Sequence, residues 1–262
     1  MNPRSVGSTA STEVLVLVKT YPHPSESSRE IVCTAGLTPE GRWVRLYPVD
    51  FRYRSRDKQY SKYQWIRVDT RPADPHRDGR KESRIPALDT LRLGPRLPAG
   101  SWAERRAVVE LAGTHTMGEL HRLYEVDRTS LGVVEPSEVV DLEYSPCSRE
   151  WKPKWQRLFG QISLFGETQK PLRKVPYAFR YVFRCADCSS VYRRLITDWE
   201  LGALFWKEVK RLGSEGDAAR SVKHKFLEEL CGEARNTRFF MGTHWPYNTW
   251  LVLGVFWPPR TP

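Results

Sequence analysis

At 262 residues, 40% of them hydrophobic and 12% aromatic, the chain can bury a sizeable core, which excludes a fibrous or wholly disordered protein. A formal net charge of +11 makes a polyanion the expected partner class, and no apolar run approaches the roughly 20 residues that span a bilayer, so no membrane partner is expected. Five cysteines, an odd number, fit reduced thiols in a cytoplasm better than a disulfide framework.

Residues 1–12, MNPRSVGSTAST, carry no apolar targeting segment and are expected to form a disordered tail. Residues 13–100 are expected to form a β-rich basic module. VLVLV at 14–18 reads as a first strand, and YPHPSESSRE as a turn-rich loop. The segments 30–37 and 43–49 flank TPEGR, whose Pro39 and Gly41 suit a hairpin turn. Val44 and Leu46 alternate with Trp43, Arg45 and Tyr47, giving one apolar face and one aromatic-basic face. QWIRV at 64–68 reads as another strand. Short strands joined by turns suggest a small barrel. Residues 69–100 are polar, Pro-broken and without periodicity, so a long loop is expected there.

Residues 101–262 are expected to form an α+β domain. Ser101–Glu104, Thr116–Glu119 and Thr197–Glu200 each match the capping box, in which the Ser or Thr oxygen accepts an early backbone N–H and the Glu reaches back. Helices are expected after each. A further helix is expected over 217–234, and strands over 139–144 and 178–185. A closing hairpin is expected over 238–257, with an apolar and hence central second strand. The fold class is thus α+β: a barrel-like N-terminal module, then helices, then a C-terminal helix-plus-hairpin sheet. No internal repeat is visible in the residues.

The strongest functional signal is residues 42–84, which hold thirteen Lys/Arg against six Asp/Glu. Within it, 51-FRYRSRDKQYSKYQWIRV-68 interleaves cations with aromatics. Phosphates need cations, and unstacked bases stack on aromatic faces, so this pattern suits nucleic acid, RNA or DNA. The phosphate candidates are Arg45, Arg52, Arg54, Arg56, Lys58, Lys62, Arg71, Arg77, Arg80 and Arg84; the stacking candidates are Tyr53, Tyr60 and Trp65.

Alternative chemistry is thinner. Asp198 and Glu200, with Glu167 or with His244 near a hairpin turn, could hold Mg and serve acid–base work in a nuclease. Cys185 and Cys188 form a single C-x-x-C, half of a structural Zn site, with Cys147, Cys231, His224 and His244 as possible complements. Ten Trp would also suit a protein-interaction module. No P-loop, dinucleotide fingerprint or G-x-S-x-G is present.

Overall fold

A computed structural model describes residues 9–25, 29–156 and 172–260, with backbone alone at 29, 188 and 189. Most of the expected tail, and residues 26–28 of the first loop, lie outside this set.

The N-terminal half contains β1 (Ala10–Lys19), β2 (His23–Ser25), β3 (Arg29–Leu37), β4 (Trp43–Val49), β5 (Gln64–Pro72), β6 (Ser83–Pro86) and β7 (Arg92–Arg96). β1, β3 and β4 pair in succession, and β5 returns to the free edge of β1. That is the 4-1-2-3 order of a Greek key. β6 closes the ring, antiparallel to β5 and parallel to β4. The result is a closed five-stranded barrel, with β2 flanking β3 and β7 flanking β5. Val14, Val16, Val32, Leu46, Ile66 and Val68 fill it, with Phe51 and Tyr60 above.

β1 is buried on both faces, as its unbroken apolar run requires. Leu15 and Leu17 turn away from the barrel and meet Leu131, Val133, Phe240, Leu253 and Phe256 of the C-terminal half. Gly36 lets β3 lie against β1 there; a Cβ would stand 2.0 Å from the Leu15 carbonyl oxygen. Gly41 makes the expected turn at φ +77.

Two helices follow, α1 (Trp102–Glu110) and α2 (Met117–Asp127). Then come β8 (Leu131–Val134), β9 (Glu138–Pro146), β10 (Tyr177–Cys185) and β11 (Cys188–Leu195). α3 (Trp199–Leu212) and α4 (Glu215–Lys223) precede β12 (Arg238–His244) and β13 (Thr249–Phe256). β12 pairs β8, and β9 pairs β10, which pairs β11. Since β8 runs on into β9, this is again the order 4-1-2-3. The fifth strand, β13, pairs β12 antiparallel and meets the end of β11 in parallel through an Ile196–Val252 bridge. The two halves therefore repeat one strand plan, although no repeat shows in the residues.

The α+β class and the barrel-like start hold. Some local expectations differ. Residues 69–100 are not a continuous loop: β6 and β7 are short strands ending near prolines, and they owe their form to partners on β5 and β4 rather than to alternation. The Thr116 box forms, its hydroxyl accepting from Glu119 N at 3.1 Å and its N–H donating to Glu119 at 2.7 Å. At Ser101 the hydroxyl donates to Glu104 instead, and no cap forms. At 197–200 the cap is Asp198, because Thr197 N is already bonded to Val252 O. The helix expected over 217–234 starts at Glu215 and ends in one π-helical turn over His224–Glu229. Among the described residues no helix is long and apolar enough to cross a membrane.

Candidate nucleic-acid interface

A cavity of about 680 Å³ lies between the two barrels. Its walls come from equivalent parts of each. The first barrel contributes its second and third strands (Cys33 on β3, Arg45 and Tyr47 on β4). It also contributes Tyr21 after β1, His23 at the start of β2, and the loop between β5 and β6 (Arg77, Asp78, Arg80). The second barrel contributes Tyr177 and Phe179 on β10 and Leu195 on β11. Trp151 and Lys174 come from its first loop, and Trp245 and Tyr247 from its last.

Arg45 forms part of the floor. It is 1% exposed and reaches three acceptors: Cys33 Sγ at 3.2 Å, Ser130 O at 2.9 Å and Ser130 Oγ at 3.1 Å. Burial lowers its pKa. Arg80 stands beside it, held by Asp78 through two bonds of 2.8 and 2.7 Å and donating to Thr243 O at 3.0 Å. His244 stacks on Tyr247, ring centroids 5.6 Å apart and planes 4° apart. Burial and the neighbouring His244 push His23 down to about 4; burial and Arg80 lower His244. Both imidazoles are therefore neutral near pH 7.

Beside the cavity, Lys62 bridges the barrels. Its ammonium lies 2.7 Å from both Asp198 oxygens and 3.2 Å from Glu200. Burial pushes the Asp198 carboxyl up to about 6 while Lys62 draws it down; Lys62 itself is raised by its two carboxylates against the cost of burial. Asp198 and Glu200 thus meet on a lysine. His244 joins Asp198 in lining the cavity. Asp198 also accepts from Glu200 N at 2.9 Å, so its oxygens are occupied by a cation and a cap.

The expected phosphate-facing stretch is largely neutralised from within. Arg52 places one nitrogen 2.8 Å from both oxygens of Glu30, whose side chain is 3% exposed. Tyr53 also reaches Glu30, at 3.4 Å. Arg54 binds Asp50 twice at 2.6 Å and Asp89 at 3.1 Å. Lys58 donates to the Asp89 and Leu88 carbonyls. Arg84 donates to the Lys81 and Ser83 carbonyls.

Three readings are corrected outright. Lys62 is buried and paired rather than phosphate-facing, Arg45 is buried at the cavity rather than on the basic 52–62 surface, and Tyr60, 2% exposed, packs edge-on to Phe51 with its hydroxyl on Thr34. The charge count over 42–84 missed these pairings because Glu30, Asp89, Asp198 and Glu200 lie outside that stretch. Trp65 is half-buried against the core shared by the barrels. Arg56, Arg71 and Arg77 are exposed, and of these Arg77 lies at the cavity.

Cys185 and Cys188 face each other in register across a tight β10–β11 hairpin, with Cys185 buried. The Cys188 side chain and Glu167 lie outside the described residues. Among the described residues no three His, Cys, Asp or Glu side chains converge to hold a metal ion. The sequence reading placed Tyr47 on an aromatic-basic strand face but missed Tyr21, Cys33 and Trp245. Tyr21 and Trp245 lie in the 1–2 and 4–5 loops and Cys33 on a second strand, positions that become visible once the strand order is known.

Residues 113–262 match a family model described as a domain of unknown function, DUF8757, and residues 10–111 match a second, DUF8758. No curated protein matches the chain. Among solved structures, a murine DNA binding protein bound with double-stranded DNA is similar at 10% identity and TM-score 0.31, covering 96% of this chain and 99% of that one. The p204 HINb domain is similar at 9% identity and TM-score 0.33, covering 98% and 100%. Likeness at that level carries no argument here.

Proposed function

The chain belongs to the DUF8757 family, and from its own cleft we propose that it binds single-stranded nucleic acid, RNA or DNA, with an unstacked base held between the two barrels. One observation carries this reading. Five-stranded Greek-key barrels of the oligonucleotide- and oligosaccharide-binding kind use the face of strands 2 and 3 with the 1–2 and 4–5 loops. Here those same parts of both barrels line one cavity.

The lining supports nucleic acid rather than sugar as the ligand. Tyr21, Tyr47, Trp245 and Tyr247 offer flat faces, while Arg45, Arg77, Arg80 and Lys174 offer cations. A volume of about 680 Å³ suits a single nucleotide rather than a duplex. The binding surface is thus moved from the 52–62 stretch to the interbarrel cleft, with Arg77 and Arg80 retained from the residues singled out by sequence.

Fluorescence anisotropy with short labelled single-stranded DNA and RNA tests it. Binding is expected at low salt and should weaken as salt rises. Trp245→Ala and Tyr247→Ala should each cost about 1–3 kcal/mol if they stack on a base. Tyr247, 74% exposed, can be removed without disturbing the core. No binding at low salt, or full binding by the double variant, defeats the proposal.

A further inference from the structure

The cavity floor has unpartnered polar atoms that a strand-binding reading does not use. Arg45 is a fully buried cation whose hydrogen bonds go to a thiol, a carbonyl and a hydroxyl, all neutral. Its Nε has no partner. Glu82 supplies a counter-charge: the Arg45 backbone N–H donates to the Glu82 carbonyl at 3.0 Å, and Ser130, bonded to the guanidinium, also bonds the Glu82 carboxylate through its hydroxyl at 2.6 Å and through its N–H. The other carboxylates at the cavity are already held, Asp78 by Arg80 and Asp198 by Lys62. Two further polar atoms on the cavity wall lack partners: Thr243 Oγ1, on a residue 3% exposed, and Thr197 Oγ1. Buried polar atoms are ordinarily satisfied.

Building on the proposed strand binding, we propose that this floor is a subsite for a phosphate monoester at the end of a nucleotide unit. Arg45 and Thr243 take the terminal phosphate oxygens, and the aromatic rim takes the base. A monoester offers several acceptor oxygens on one compact group, able to bond a guanidinium and a hydroxyl together. An internal phosphodiester carries one charge and is flanked by sugars on both sides, so it fits a closed floor poorly. The same chemistry is offered by a free mononucleotide and by a phosphorylated strand end.

Calorimetric titration of the full chain separates these sources. The ligands are one short oligonucleotide bearing a 5′-phosphate, a 3′-phosphate or hydroxyls at both ends, together with the matching mononucleotide, its nucleoside and inorganic phosphate. A phosphorylated end should tighten binding about tenfold to a hundredfold. The gain should vanish in Arg45→Met and shrink in Thr243→Val, a shape-preserving change that keeps the test intact if the buried arginine proves necessary for folding.

Equal affinity for phosphorylated and hydroxyl-ended strands, with no mononucleotide binding, overturns the subsite and leaves strand binding standing. Mononucleotide binding without strand binding supports the subsite with a free nucleotide as its source, and overturns the strand reading. Binding of neither overturns both. A phosphate preference that survives in both variants places the phosphate elsewhere and overturns the subsite.

Discussion

At the scale of single residues, burial decides what each ionisable group can do. His23 shows this most simply. Burial lowers its pKa from 6.5 to about 4, with His244 adding to the shift. Between those values the unfolded chain binds a proton that the folded chain does not. Stability contributed by the neutral ring is therefore full above about pH 6.5 and is lost as pH falls toward 4. Chemical denaturation at pH 7 and pH 5 checks this. The wild type should lose more stability than His23→Gln over that interval; equal losses would show that His23 does not titrate in this way. The same rule explains which residues the sequence made legible. Arg77 could be read from its setting because it stays at the surface. Arg52 and Lys62 could not, since their acidic partners, Glu30 and Asp198, come from elsewhere in the chain.

At the scale of elements, the helix starts show how tertiary demands edit local signals. The Thr116 box was legible and forms, because nothing else claims its atoms. The box at 197–200 shifts by one residue, because the backbone of Thr197 is drawn into a ladder with Val252 and with Tyr21. Asp198 then caps α3 and pairs with Lys62 at once. Asp198→Asn separates the two roles, since Asn caps a helix about as well as Asp but carries no charge. The substitution leaves a buried ammonium without its main counter-ion and should cost about 3–5 kcal/mol in a denaturant titration. A loss under about 1 kcal/mol would mean the cap was the main contribution. β6 and β7 were illegible for a related reason: short, proline-ended strands carry almost no alternation, and their partners hold them in place.

At the scale of the whole molecule, the two halves share a core. Leu15, Leu17 and Leu37 of the first barrel pack with Leu131, Phe240 and Phe256 of the second, and the Thr20–Asp198 bridge continues the pairing across. The halves should therefore unfold together. Phe240→Ala, on the second barrel but in the shared core, should cost about 3–5 kcal/mol. It should also leave a single calorimetric transition; two transitions would show that the barrels are independent. The repeated strand plan was hidden from the sequence because it resides in pairing order, which unrelated residues can satisfy equally well.

That bridge has a kinetic consequence. Main-chain bonds from Tyr21 to Thr197 and from Thr197 to Val252 run from one barrel into the other beside the cavity. Cavity walls stitched together in this way do not swing apart to admit a guest. The slow step on entry then belongs to the nucleic acid, which must unstack a base before it fits. Observed association rates should climb with protein concentration and level off at the unstacking rate, with a higher plateau for pyrimidine runs than for well-stacked purine runs.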